Sequence, residues 1–249
     1  KLDEFYIVNT ESGDLDRVAR SEQLRLIGWV DDTVLFSQVV EGTSAGNPER
    51  SKIVSYNERT KERVDLASAN YFNDVELIGD TLYYAVSSFA VPQSQAKLYS
   101  VPAKGGDSDI VLDSQVWNLF RVGYDTIHVS AIDQKWYELK DESVSPVDVQ
   151  PAPFSRKFVD NTSGSSSAWV EVRDGKGTVL TTDINTGEEQ VVFATPGLSE
   201  LLYWTNDSTL IYRITSSSET ADYILPVDAT EPLVPIKIRD VTANQRYYY

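Results

Sequence analysis

GDTLYYAVSSFAVPQSQAKLYSVPAKGGDSDIVLD, residues Gly79 to Asp113, holds two apolar bursts, a polar loop between them, and a Gly105-Gly106 turn before a third burst. Its first half, Asp80-Thr81-Leu82-Tyr83-Tyr84, has counterparts at Asp32-Thr33, Asp125-Thr126, Asn161-Thr162 and Asp207-Ser208, spaced by 48, 45, 36 and 46 residues. Three residues before each pair stands an apolar side chain: Trp29, Leu77, Val122, Phe158 or Trp204. Asp, Asn and Gly tolerate tight-turn backbone, and the β-branched and aromatic flanks suit a pleated surface. Each pair therefore reads as the turn between two strands. The second half, Lys97-Leu98-Tyr99-Ser100-Val101, is echoed by Lys52-Ile53-Val54-Ser55-Tyr56 and Lys135-Trp136-Tyr137-Glu138-Leu139. Weaker copies are Thr178–Thr182 and Asp222–Pro226.

A turn and a fourth short strand follow each echo, and no useful stretch has helical periodicity. Four strands in about 45 residues, repeated, make a propeller blade. The pattern predicts five complete units at roughly 24–67, 73–113, 117–148, 155–195 and 199–240. The segment EFYIVNTESGDLDRVAR, residues 4–20, matches only the third and fourth strands of a unit. The expectation is an all-β, six-bladed propeller forming a single domain over residues 1–249. Its sixth blade would be composite, with Thr242–Tyr249 supplying an inner strand to the N-terminal pair.

Composition narrows the functions. Lys+Arg total 22 and Asp+Glu 38, so the net charge is 22 − 38 = −16. Such a surface repels phosphate backbones and disfavours nucleic acid as a partner. Hydrophobic residues reach 41%, enough for a core, yet no apolar run nears the roughly 20 residues of a membrane helix. Lys1-Leu2-Asp3-Glu4 leads into a strand rather than an apolar leader, and Met is absent throughout, so the expectation is a fragment of a larger protein. Cys is absent as well, which removes disulfides, thiolate metal sites and thiol nucleophiles.

Chemistry is sparse. The one histidine, His128, lies in DTIHVSA, where alternation sets it on the face opposite Ile127 and Val129, and no G-x-S-x-G elbow supplies a nucleophile for it. One histidine without cysteine excludes ordinary zinc and redox-metal sites. No catalytic residue and no cofactor are assigned. Calcium is the one ion with oxygen ligands to hand, at Gly105–Asp109 and in Asp160–Ser167, and neither stretch has EF-hand spacing. Paired carboxylates could serve a glycosidase, but Asp31, Asp32, Asp160 and Asp207 fall in turns, leaving Glu76 as an inner-strand candidate. Asn161 and Asn206 head acceptor tripeptides for glycosylation, in turns where Asn is expected anyway. Trp29 and Trp204 share one repeat position with Leu77, Val122 and Phe158, and Trp136 aligns with Ile53 and Leu98, which points to core rather than sugar platforms.

The unit GDTLYYAV…AKLYSVPAKGG resembles the repeat of bacterial propellers of the TolB-like and low-density-lipoprotein-receptor-like groups. These pair an inner G-D-x-[IL]-Y-Y strand with an outer [KR]-L-Y-x-[IV] strand and a Gly turn. The likeness is good over 73–113, partial over 24–67 and 117–148, and faint beyond. It implies an exported, surface-displayed or periplasmic binding module without shared catalytic chemistry.

Propellers bind through loops, because the blades themselves are packing units. The loops between second and third strands are long at Val40–Ser51, Ser87–Ala96 and Thr215–Ala221. Phe89, Val91 and Pro92 form an apolar patch where a polar loop would be cheaper, with Glu41, Glu49 and Glu219 as an acidic rim. The expected role is a monomeric, non-catalytic scaffold that binds a protein through this face. The alternative is a propeller attached to an enzyme, either glycan-active or half of a serine peptidase.

Overall fold

The structure is a computed structural model and describes residues 2–9, 12–87, 95–148, 158–161, 163–227 and 235–241. The chain divides into two compact units, Lys1–Phe120 with Asp125–Ala152, and Arg121–Tyr124 with Pro153–Tyr249.

In the first unit β1 (Asp3–Val8) and β2 (Leu15–Ser21) pair antiparallel as a two-stranded sheet. Three four-stranded sheets follow. They comprise β3 (Leu24–Val30), β4 (Thr33–Val39), β5 (Ser51–Asn57) and β6 (Arg63–Ala69); then β7 (Phe72–Ile78), β8 (Thr81–Val86), β9 (Leu98–Pro102) and β10 (Asp109–Leu112); then β11 (Val116–Arg121), β12 (Thr126–Ala131), β13 (Trp136–Lys140) and β14 (Ser143–Val147). The second unit holds β15 (Val159–Asp160), β16 (Ser166–Arg173), β17 (Lys176–Asp183) and β18 (Glu189–Thr195). Its other sheet is β19 (Leu198–Asn206), β20 (Thr209–Thr215), β21 (Thr220–Pro226) and β22 (Ile236–Asp240). In every sheet each strand bonds its neighbour in sequence. These five meanders are the blades of an all-β propeller, with borders within a few residues of the repeat units.

The blade count corrects the sequence reading. Five blades are four-stranded, and β1–β2 stay a pair. Residues 4–20 contain two strand lengths that pair with each other, and no strand joins them among the described residues. Thr242–Tyr249, expected to provide one, lie outside the described residues.

Alternation explains how blades stack. Along β4, Val34 and Phe36 point to a cluster with Phe5, Ile7, Val18 and Ala19, while Leu35 points to one with Phe72, Leu82 and Tyr84. Along β8, Leu82 and Tyr84 join that second cluster, and Tyr83 and Ala85 pack with Leu119, Ile127 and Val129. A strand buried on both faces reads as a continuous apolar run, which is why TVLF and TLYY stand out in the sequence. In the second unit Ala168, Val179, Trp204, Leu210 and Tyr212 form the equivalent cluster.

The anchor pairs mark strand-to-strand turns, with the threonines of the first three pairs opening the following strand and Thr162 outside the described residues. Asp31-Asp32 joins β3 to β4, Gly79-Asp80 joins β7 to β8, and Asp207-Ser208 joins β19 to β20. Asp31 and Gly79 adopt φ of 49° and 55°, the left-handed conformation that short hairpin turns need.

Candidate functional site

The loop from Val40 to Ser51 is an ordered element built from its own polar groups. The Val40 N–H donates to the Arg50 carbonyl at 2.7 Å, and the Asn47 side-chain oxygen accepts the Glu49 N–H at 2.8 Å. Asn70 donates its side-chain amide to the Asn47 carbonyl at 3.0 Å, tying the loop to the end of β6. Gly42 and Gly46 take positive φ and let the loop double back. Glu41 and Glu49 are both exposed on it. Phe89, Val91 and Pro92 lie outside the described residues, so the structure neither gathers them with these glutamates nor separates them.

Thr215–Ala221 is shorter than its sequence suggests. Thr215 ends β20 and Thr220 begins β21, leaving a tight turn in which the Ser216 N–H donates to the Glu219 carbonyl at 2.8 Å. Serine hydroxyls favour such turns, so a run of them marks a bend as readily as a loop. Glu219 is exposed but engaged: Lys237 Nζ donates to it at 2.9 Å and Tyr223 Oη at 3.0 Å. The Lys237 ammonium, then the Tyr223 hydroxyl, hold its carboxyl below the usual carboxylate range.

The histidine, the tryptophans and Asn161 make the following contacts. His128 Nε2 stands 3.3 Å from Glu138 Oε2, directly across the β12–β13 ladder. Ile127 and Val129 are fully buried on the other face, as alternation requires. Trp204 is buried, and its Nε1 donates to the Val159 carbonyl at 2.8 Å. Trp29 is half-buried and packs against the cluster that holds Val18, Val34 and Phe36. Trp136 departs from the core expectation: Ile53 and Leu98 are fully buried, whereas Trp136 is half-exposed and tilted over Phe120, with centroids 5.7 Å apart. Asn161 is buried, its oxygen accepting the Ser166 N–H and its amide donating to Ser165 Oγ. Both ends of that side chain serve the turn. Among the described residues no three His, Asp or Glu side chains converge to hold a metal.

Sequence reasoning missed two charged groups that build the frame. Arg121 is buried and donates to the carbonyls of Tyr124 (2.6 Å), Phe158 (3.1 Å) and Gly123 (3.3 Å), with its guanidinium over the Phe158 ring. Asp74 on β7 accepts the Leu119 N–H of β11 and its neighbour's Val75 N–H, both at 2.9 Å. Burial raises the Asp74 pKa above the ordinary value, against the pull of those two donors. A lone arginine inside the apolar run NLFRVG was the visible sign of the first. Nothing local distinguishes Asp74 from a surface aspartate.

One groove of about 400 Å³ is lined by Ile7, Asn9, Asp16, Glu58, Arg59 and Lys61, among others. Within it Asp16 accepts from Tyr56 Oη and Lys61 Nζ at 2.8 Å each. Lys61, then Tyr56, lower the Asp16 pKa. A smaller cleft of about 180 Å³ has Asp80, Asp125, Asp141 and Glu142 on its walls, with Lys140 paired to Asp125 at 3.3 Å.

No protein-family model and no curated protein matches the sequence. Solved structures do match in fold. TolB from Acinetobacter baumannii superposes with a TM-score of 0.57 at 13% identity, over 95% of this chain and 60% of that one. A TolB-designated protein from Agrobacterium tumefaciens gives 0.53 at 10% identity, over 95% and 89%. This chain is a β-propeller that resembles those of the TolB structures in fold. The β-propeller domain of the Trilobed protease from Pyrococcus furiosus, described as having an open velcro topology, gives 0.55 at 10% identity over 98% and 78%. The chain thus spans three fifths of the Acinetobacter protein's length. No helix among the described residues is long and apolar enough to cross a membrane.

Proposed function

We propose that this propeller is a non-catalytic binding module of an exported or cell-surface protein, and that it takes a protein partner through the loops joining second and third strands. The observation that carries the reading is the use of the charged side chains that are buried, Arg121 and Asp222, or half-buried, Asp74. Arg121 and Asp74 bond backbone groups, and Asp222, fully buried, is gripped by Arg213 at 2.7 Å. Each is committed to the frame, whereas an acid, base or nucleophile in a reactive site needs a free face toward substrate. The likeness in fold to the TolB structures is in keeping with export.

The partner surface in this reading is the loop segment of Phe89, Val91 and Pro92, with Glu41, Glu49 and Glu219 as its acidic rim. Burying a Phe side chain contributes about 1.5–3 kcal/mol, which is roughly ten- to hundredfold in affinity. The test is a pull-down from the native organism with the wild-type chain beside a Phe89→Ser, Val91→Ser variant. The variant should lose the partner that the wild type retains. Equal recovery by both moves the binding site elsewhere.

A second reading rests on the likeness to the protease's propeller domain. In that case the chain would cover a peptidase rather than recruit a partner. Continuation of the gene into a hydrolase domain would decide for it.

A further inference from the structure

The cleft of about 180 Å³ lies between two successive blades of the first unit. Asp80 belongs to the β7–β8 turn, Asp125 stands just before β12, and Asp141 and Glu142 form the β13–β14 turn. Asp141 and Glu142 take φ of 47° and 59°, so a turn that ordinarily favours Asn-Gly carries two acids instead. Lys140, on the wall, reaches Asp125 at 3.3 Å, and Lys104, near Asp80, reaches Asp31 at 2.6 Å. Among the described residues no ion pair includes Asp141 or Glu142. Exposed acids alone make an ordinary solvated surface, and Tyr83 sets this one apart. It is only 4% exposed, and its ring packs with Ile127 and Leu139. It nevertheless lines the cleft, and its hydroxyl feels the charges of Glu142 and Asp80. Among the described residues nothing hydrogen-bonds that hydroxyl. The hydroxyls of Tyr56, Tyr84, Tyr99 and Tyr223 each donate to an oxygen. Tyr212 lacks a partner too, but its Oη is sealed from solvent. The repeat does not require a hydroxyl here, since Leu35 holds the same place in the preceding blade and is fully buried. A buried polar group left unpaired is unfavourable and calls for a partner.

We propose that this cleft receives the guanidinium of an arginine side chain from a partner polypeptide. A guanidinium presents five N–H donors in a planar fork, enough to serve two of the wall carboxylates and the Tyr83 oxygen together. Ile78 and Leu139 give its methylene stem an apolar wall. A metal ion fits less well, because among the described residues no three carboxylates converge to hold one. The cleft has room for one side chain, so the remainder of the partner lies outside it, and the net charge of −16 favours the approach of a basic segment. The site uses none of the residues assigned to the Phe89 segment, and the two readings therefore fail separately.

The probe is the blocked peptide Gly-Ser-Arg-Ser-Gly, titrated into the isotope-labelled 249-residue chain at low salt. A second peptide carries citrulline in place of arginine, which keeps the shape and removes the charge. The arginine peptide should give saturable shifts at the amides of Asp80, Asp141 and Glu142 and at the Tyr83 ring, and the citrulline peptide should not. Tyr83→Phe keeps the ring packing but lacks the hydroxyl, and should weaken the arginine peptide about fivefold. Glu142→Gln should weaken it by a similar factor. Glu22→Gln removes one exposed acid elsewhere and should leave the affinity unchanged. Any of four results overturns the proposal. The first is no saturable shift at millimolar peptide, and the second is equal shifts with citrulline. The third is a Tyr83→Phe chain that binds as tightly as Glu22→Gln, which would reduce the effect to diffuse charge. The fourth is nuclear Overhauser contacts, in the free chain, from the Tyr83 ring to an arginine of the chain itself, which would show the cleft filled from within.

Discussion

Asp74 and Glu219 are carboxylates displaced in opposite directions, and the two displacements have opposite consequences for stability. Burial raises the Asp74 pKa, so the folded chain holds that proton more tightly than the unfolded one. Its titration favours the fold below the unfolded value near 3.8, and the benefit fades as pH rises through the raised folded value. Asp74→Ala strips the acceptor from the Leu119 and Val75 N–H groups and should cost about 1–3 kcal/mol in urea unfolding. The deficit relative to wild type should be widest in acid and narrow toward neutral pH. For Glu219 the folded pKa is lowered, so its contribution is present above the ordinary carboxylate range and is lost as pH falls through the lowered value. Side-chain carboxyl NMR titration should find the Asp74 midpoint above, and the Glu219 midpoint below, those of the unfolded chain. Arg121→Lys keeps the charge but lacks the fork that reaches three carbonyls, and should cost about 1.5–3 kcal/mol by the same unfolding assay. Neither Asp74 nor Glu219 was legible from sequence, because what decides each is a partner on another strand: Leu119 is 45 residues away, and Lys237 is 18.

At the scale of elements, turns and strands were the legible part. DDT and GDT in the first two units mark two-residue turns because only a few residue types accept the left-handed backbone that such turns require. Gly79, at φ 55° with open space around its Cα, tests that reasoning. Gly79→Asn should be nearly neutral, whereas Gly79→Val should lose about 1–2 kcal/mol from backbone strain alone, measured by the urea midpoint. Gly197 poses the other glycine problem: a Cβ there would sit 2.7 Å from Ile214 Cγ2 and 3.4 Å from the Thr215 carbonyl. Gly197→Ala should destabilise by about 1–3 kcal/mol through overpacking. Loop length was the weaker inference. Ser216, Ser218 and Glu219 read as an extended loop, yet the Ser216 hydroxyl accepts both the Ser218 and Glu219 N–H groups and folds the segment into a turn. Polar composition marks where strands end and leaves open how far the chain wanders before the next one begins.

For the whole molecule, the repeat disclosed five blades because turn pairs and apolar strands recur at a fixed spacing, clearest where the second strand is buried on both faces as in β4 and β8. The count of six failed because completing a sheet is a question of long-range pairing, which periodicity along the chain does not contain. Net charge acts at this scale too. A charge of −16 on one chain is self-repulsive, so raising salt from about 0.01 M to 0.15 M should lift the melting temperature by about 2–4 °C for each kcal/mol of repulsion screened, as read by circular dichroism. The sequential order of strands within every sheet has a kinetic meaning as well. A meander closes only short loops, two residues between Val30 and Thr33 and eleven between Val39 and Ser51, so little chain entropy is lost before the first contacts form. Such a topology has lower contact order than a sandwich of equal size and should fold faster than its strand content suggests. Each blade also carries its ladder of backbone bonds within one stretch of about 45 residues, so a duplicated or deleted unit brings or removes its own hydrogen bonds. Length changes in this lineage should therefore come in whole blades.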